Sequence, residues 1–166
     1  MTSGRRSWRL SRLPSRTGSR MPMAEYATSI EIDAAPEVVF DYLTTEAGMT
    51  AWMGQHARLD PHPGGEFAVD IAGYAVRGEY LSVEPPTRVV VSWGIVGTSD
   101  LPVGASTVEF RLAAIARGTR LELIHSQLPD TAVAGHRYGW EHFVPRLAAA
   151  AAGTPFGPDP WRPMTE

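Results

Sequence analysis

Apolar and polar residues alternate with a period of two over most of this chain, and one long segment of helical periodicity follows near the C-terminus. A β-strand with one buried face alternates in this way, because successive side chains point to opposite faces of a sheet. The alternation therefore predicts half-buried strands, separated by turns rich in glycine and proline. They cover residues 26–32, 66–71, 74–83, 89–95, 108–112 and 121–125.

Three other segments predict helices. Residues 35–37 read Ala-Pro-Glu and are typical of a helix start, since proline is favoured at the first helical position. A second short helix is expected over residues 46–52. The long helix is expected to begin at a cap on Asp130 or Thr131 and to end at Gly153. Its apolar stripe repeats at spacings of three and four. The stripe is Val133, Arg137, Trp140, Val144, Leu147 and Ala151, with His136 and Phe143 beside it.

This order of elements predicts an α+β fold. A curved antiparallel sheet of about six to seven strands, wrapped around the long C-terminal helix, satisfies every apolar face. Two short helices follow the first strand. This is the helix-grip arrangement, and we expect it to form a single domain over residues 23–153. Gly78, in the middle of a predicted strand, indicates a bulge or a close approach of two backbones.

The two ends of the chain have a different composition. Residues 1–22 contain six arginines, several serines and no acid. This predicts a disordered tail, or sequence upstream of a natural start at Met21 or Met23. Residues 154–166 are rich in proline and are expected to form a loose C-terminal tail.

Charge and composition exclude several classes of function. Beyond residue 22, nine arginines stand against all 18 acidic residues, and a surface of that sign repels phosphate, so no nucleic-acid partner is expected. No apolar run approaches the roughly 18 residues of a membrane span. The chain has no cysteine, which fits a reducing cytoplasm. Abundant alanine, arginine, glycine and proline beside absent lysine and asparagine indicate a GC-rich bacterial genome.

A set of short motifs resembles one known family. In chain order they are Val39-Phe40, Trp52, Gly64-Gly65-Glu66-Phe67, Val83-Glu84-Pro85-Pro86, Val91-Ser92-Trp93, Val108-Glu109-Phe110, Gly118-Thr119-Arg120-Leu121, His125-Ser126 and Gly139-Trp140. They resemble the family of activators of heat-shock protein 90 ATPase homologues, called AHSA-like, within the START-like or SRPBCC superfamily. The resemblance runs from Tyr26 to Gly153. It implies a helix-grip fold that holds a hydrophobic ligand between sheet and helix, and it allows a homodimer.

His125 is the residue best suited to a chemical role in binding or catalysis. Strand parity places it on the inward face with Leu121 and Leu123. Such a histidine is able to orient a ligand, or to act as a general base with a pKa near neutrality. The alternative is a structural histidine that is hydrogen-bonded to backbone and packed beneath the helix. No catalytic residue is assigned, and His125 is a weak candidate for that role.

Inward parity and helix periodicity also yield a set of candidate ligand-binding residues. They are Trp52, Phe67, Val69, Val91, Trp93, Val108, Phe110, Leu123, His125, His136, Arg137 and Trp140. Arg137 is expected to snorkel, to pair with an acid of the sheet, or to contact an anionic head group. His136 and His142 are six residues apart, on different helix faces, so no metal site is predicted. No cofactor is predicted either.

Three functions follow from this pattern. The first is non-enzymatic binding of a small, mostly hydrophobic ligand in the cleft between sheet and helix. The second is an enzyme of the cyclase, dehydratase or hydrolase type, with His125 or one of Tyr74, Tyr80 and Tyr138 as acid–base group. The third is a protein–protein adaptor, including a chaperone-linked stress-response role, through the exposed sheet face or the loop at residues 96–105.

Overall fold

Seven antiparallel strands form one curved sheet in the computed structural model, which describes residues 23–163. The predicted N-terminal tail and the last three residues lie outside the described residues. In space the strand order is β1-β7-β6-β5-β4-β3-β2, so the first strand pairs with the last. The strands are β1 Met23–Ile32, β2 His56–Leu59, β3 Glu66–Ile71, β4 Tyr74–Glu84, β5 Arg88–Ile95, β6 Ser106–Ile115 and β7 Gly118–Pro129.

Three helices complete the described part of the chain. They are α1 Pro36–Thr44, α2 Glu46–Thr50 and α3 Asp130–Ala151. Helices α1 and α2 carry the chain from β1, at one edge of the sheet, to β2, at the other. Helix α3 follows β7 directly and contacts β1, β7 and α1. The predicted α+β helix-grip fold is confirmed: a curved antiparallel sheet, two short helices after the first strand and a long C-terminal helix.

Several boundaries differ from the sequence prediction. The edge strand β2 has only four residues, which is too short for its alternation to stand out. Helix α2 ends at Thr50 instead of Trp52. Helix α3 has Pro129 as its N-cap, without a side-chain cap, and the expected caps Asp130 and Thr131 are its first two residues. There the Asp130 carboxylate meets the positive end of the helix dipole.

The buried stripe of α3 includes four residues of the predicted one, Trp140, Val144, Leu147 and Ala151, and extends around the helix to Phe143. Its innermost residues include Trp140, Phe143, Val144 and Leu147, which pack against the sheet. The placement of Arg137 on this stripe is wrong, because its side chain is exposed on the other side of the helix. His136, predicted beside the stripe and as a ligand-binding residue, is half-buried and faces the sheet, where it accepts a hydrogen bond from the Trp93 indole.

The predicted close approach at Gly78 is confirmed. The Ser92 hydroxyl accepts a hydrogen bond from the amide of Glu79 at 2.9 Å, and a Cβ atom on Gly78 would overlap the Ser92 carbonyl. Beyond this point the pairing of β4 with β5 shifts its register between Tyr80 and Ser82. Gly78 thus lets the backbones of β4 and β5 approach each other just before this shift in register.

We expect Gly78→Ala to lower the free energy of unfolding by about 1–3 kcal/mol, because the added methyl meets backbone instead of a movable side chain. Urea unfolding followed by tryptophan fluorescence measures the change. Gly135→Ala in α3 is the matched control: its Cβ meets open space, and alanine favours the helix by about 0.5–1 kcal/mol. Equal effects of the two substitutions would contradict this account of Gly78.

Candidate functional site: a cavity between the sheet and the long helix

A cavity of about 270 Å³ lies between the N-terminal half of α3 and one end of strands β3, β4 and β5. Ile71, Val76 and Trp93 line it from the sheet, and Trp140 and Phe143 from the helix. Its exposed rim includes Asp100 of the loop after β5, together with Thr131 and Gly135 of α3. The cavity is therefore apolar inside and polar at the rim, as small-molecule sites usually are.

Aromatic rings make up much of the cavity wall. The ring centroids of Trp93 and Trp140 are 5.2 Å apart, and those of Phe143 and Trp161 are 4.9 Å apart. Trp93 and Trp140 are almost fully buried, so their rings are held in fixed positions. Such a wall presents a rigid apolar surface to a ligand.

A chain of side-chain hydrogen bonds joins α3 to the sheet behind this wall. The Trp140 indole donates from Nε1 to Nδ1 of His125 at 3.0 Å. Nε2 of His125 lies 2.8 Å from Oγ of Ser106, and that hydroxyl donates to the Trp93 carbonyl at 2.7 Å. Because an indole only donates and the Ser106 proton is used on the carbonyl, His125 carries its proton on Nε2 and donates it to Ser106.

His136 forms a second, shorter chain. Its Nδ1 donates to the Ala132 carbonyl at 2.8 Å, and its Nε2 accepts from the Trp93 indole at 3.2 Å. The imidazole rings of His125 and His136 are 4.9 Å apart. Two charged imidazoles at that distance would repel each other in a poorly hydrated interior.

Both histidines are held in the neutral form. Burial lowers the pKa of His125 well below its usual value, and the nearby His136 lowers it further. Burial also lowers the pKa of His136, against the opposing effects of the Ala132 carbonyl and the Asp100 carboxylate. Both ring nitrogens of His125 are engaged in hydrogen bonds, which together with its lowered pKa favours the structural role over that of a general base with a pKa near neutrality. Its partners are side chains instead of the backbone groups expected for that role.

The other residues predicted for the site fall into three groups. Trp93, His136 and Trp140 line the cavity. Arg137 is exposed and does not line it. The remaining seven are buried in the core away from the cavity wall: Trp52, Phe67, Val69, Val91, Val108, Phe110 and Leu123.

The three tyrosines considered as acid–base groups have different surroundings. Tyr80 is buried and donates to the Leu43 carbonyl at 3.0 Å, and burial raises its pKa, so it stays protonated. Tyr138 packs against Trp161, with their ring centroids 6.0 Å apart. Tyr74 lines the cavity and is partly exposed. Among the described residues, no three histidines or acids lie close enough to hold a metal ion.

The segment after α3, for which the sequence predicts a loose tail, contributes two residues to the cavity wall. Asp159 accepts from His142 at 2.8 Å and lies 3.7 Å from Arg146, so it ties the segment to the helix. Trp161 then packs on Phe143, and both Trp161 and Pro163 line the cavity. The available signal was a tryptophan two residues after an acid in an otherwise apolar and proline-rich segment.

A curved antiparallel sheet that encloses a long C-terminal helix, with a cavity between them, defines a helix-grip protein. Within this class, the family described as Activator of Hsp90 ATPase homolog 1-like protein matches residues 33–152, and the chain belongs to that family. Among the described residues, no helix has the length and the apolar character that crossing a membrane requires.

Solved structures agree with this assignment. The AHSA1-like protein of Rhizobium etli is 37% identical, with 88% of this chain and 93% of that one covered and a TM-score of 0.68. The Aha1 protein of Colwellia psychrerythraea, solved as a dimer, is 20% identical, with 78% of this chain and 97% of that one covered and a TM-score of 0.70. An HSP90 activator of Plasmodium falciparum is 23% identical, with 79% of this chain and 97% of that one covered and a TM-score of 0.66. The last two share the fold alone. No curated protein matches this chain.

The neutral state of His125 predicts how stability depends on pH. Below about pH 6.5 an unfolded chain takes up a proton on this histidine, whereas the folded protein does not. The unfolded state then binds more protons, so stability falls as the pH is lowered, by up to about 1.4 kcal/mol per pH unit for each such group. Urea unfolding between pH 7.5 and 5.0 should show a shallower fall for His125→Gln than for the wild type.

His56 provides the matched control for this experiment. It is exposed on β2, and His56→Gln should keep the wild-type fall in stability. If His125→Gln retains the full slope, then His125 is not the neutral group that the hydrogen-bond chain requires.

Asp159 predicts the behaviour of the C-terminal segment. Asp159→Ala removes the acceptor of both His142 and the Trp161 amide, so residues 159–163 should be held less firmly on α3, while the bond from Arg146 to the Gly157 carbonyl remains. Amide hydrogen exchange in this segment should accelerate by at least about tenfold, while the strands keep their protection. Glu141→Ala, an exposed substitution on the same helix, should change neither. Unchanged exchange in Asp159→Ala would show that Asp159 does not tether the segment.

Proposed function

We propose that this protein binds a small, mostly apolar ligand in the cavity between the sheet and α3, and that it does so without catalysing a reaction. The observation that carries the proposal is the cavity of about 270 Å³ with its wall of aromatic side chains. Contact with that wall removes apolar ligand surface from water, which contributes about 25 cal/mol per Å². The structural neighbours fit a START-like ligand-binding fold, which supports the same conclusion at a coarser level.

The size of the cavity limits the ligand. Pockets for drug-sized molecules usually measure about 300–1,000 Å³, and this one lies just below that range. We infer that the buried part of the ligand is one or two rings, or a short chain. The polar groups closest to solvent are Thr98, Asp100 and Thr131, so polar contacts that orient the ligand would form at the rim.

Binding without catalysis is preferred over the enzymatic alternative because of the hydrogen bonds already made. His125 and His136 each use both ring nitrogens, and burial keeps both neutral. Proton transfer by either histidine would first break a bond that holds Trp93 or Trp140 in place. We also propose that the protein acts in a bacterial cytoplasm without a nucleic-acid partner, which its composition and the negative charge of the domain support.

Gly135 offers a direct test of the cavity. It lies on the rim, and a side chain there meets open space. Gly135→Leu should place an isobutyl group over the mouth and weaken the binding of prodan, a neutral two-ring naphthalene probe whose fluorescence depends on polarity, by at least about tenfold, or 1.4 kcal/mol. The fluorescence of the bound probe measures the affinity.

Two variants separate blockage from other effects of the substitution. Ala134→Leu adds the same group at the neighbouring, exposed position that does not line the cavity, and it should bind the probe like the wild type. Gly135→Ala gains helix propensity without reaching far over the mouth, and it should bind normally as well. Equal binding by Gly135→Leu and Ala134→Leu, or no binding by the wild type, would overturn the proposal.

A further inference from the structure

The charge that the lining residues bring to the cavity is negative. Of the described residues that line it, Asp100 is the only acid and none is an arginine. The chain has no lysine, so arginine and protonated histidine are its only side-chain cations. The Asp100 carboxylate accepts a hydrogen bond at Oδ2 from the Thr131 hydroxyl at 2.9 Å, which holds it at the rim.

Neither His136 nor Arg162 offsets this charge. His136 lines the cavity, but burial lowers its pKa and keeps it neutral. Arg162 lies between two lining residues in sequence, yet its side chain is exposed and donates from Nη1 to the Trp161 carbonyl at 2.9 Å. An anionic ligand would therefore meet a carboxylate at the rim and no cation in the cavity wall.

The aromatic rings of the cavity wall also favour a cationic ligand over an anionic one. The rings that line the cavity belong to Tyr74, Trp93, Trp140, Phe143 and Trp161. The face of an aromatic ring is electron-rich and attracts cations within about 6 Å of its centroid, tryptophan most strongly. An acid beside several such rings matches the chemistry of organic ammonium recognition.

The N-terminus of α3 is the one feature that favours an anion, since its unpaired amides carry partial positive charge. Thr131 and Ala132, at this end, line the cavity. However, two carboxylates of the protein are already there: Asp130 lies in the first helical turn, and Asp100 is bonded to Thr131. These two carboxylates of the protein already interact with the positive end of the helix, so it does not favour an anionic ligand.

From these observations we infer that the cavity takes a small aromatic ligand with an ammonium or other cationic group, the ring among the tryptophans and the cation beside Asp100. This inference rests on the proposed ligand-binding function and names its ligand class. It distinguishes the site from one built for fatty acids or other carboxylates, because those would require a cation at the rim.

Three indoles of nearly equal size test the inference. Tryptamine carries an ammonium group, indole-3-propionate a carboxylate and tryptophol a neutral hydroxyl, each on a short chain from the same ring. Titration calorimetry of the full chain at pH 7.5 and low salt should rank tryptamine first and indole-3-propionate last, at least about tenfold apart. Asp100→Asn keeps an acceptor for Thr131 and should reduce this difference to about threefold or less.

Asp130→Asn is the matched control, because it removes one acid at the same helix end without changing a lining residue. It should leave the preference for tryptamine intact. If tryptophol binds but the carboxylate binds as well as the amine, the cation inference is overturned while the cavity still binds ligand. If Asp100→Asn and Asp130→Asn lose the preference for tryptamine equally, that preference comes from the overall negative charge at this end of the helix. This result would also overturn the role of Asp100. If none of the three indoles binds, both the inference and the proposed function fail.

Discussion

The hydrogen bond from the Trp140 indole to His125 is the contact on which the arrangement of helix and sheet depends. It joins α3 to β7, and Ser106 and the Trp93 carbonyl extend it across β6 to β5. His125 is completely buried, so each polar atom in this chain has lost its water. A buried donor or acceptor without a partner costs about 1–3 kcal/mol. Because every member has one suitable partner, a displacement of the helix would leave several such groups unsatisfied.

The same two tryptophans also form the cavity, which explains its location. Their indole N–H groups bind the two histidines, while their rings face the space beneath the first half of α3. The second half of the helix is anchored differently, by apolar packing of Val144 and Leu147 on the sheet. The cavity thus lies where hydrogen-bonded aromatic side chains replace close aliphatic packing.

The exposed polar groups that line the cavity lie at its rim. The interior histidines already use both ring nitrogens in hydrogen bonds, and these bonds hold the two tryptophans of the wall in place. Asp100 and Thr131 come from separate elements, a loop and the start of α3, and meet at the mouth. The segment around Asp159 and Trp161 adds a third element to the same region. A fold shared by a whole family can therefore acquire different ligand preferences through its loops, since loops tolerate change better than the core does.

The sequence by itself determined the fold of this protein. Period-two alternation predicted the strands and the inward position of His125, and the motifs identified the family. Tertiary structure alone decided the partners of His125, since Ser106 and Trp140 are 19 and 15 residues away. Parity assigns a residue to a face, but strand register and sheet curvature decide which side chains meet there. Likewise, Arg137 differs from His136 by the rotation of one helical residue, about 100°, which the apolar stripe was too broad to resolve. Trp161 and Asp100 lie in segments without periodicity, so only the folded chain could bring them to the cavity.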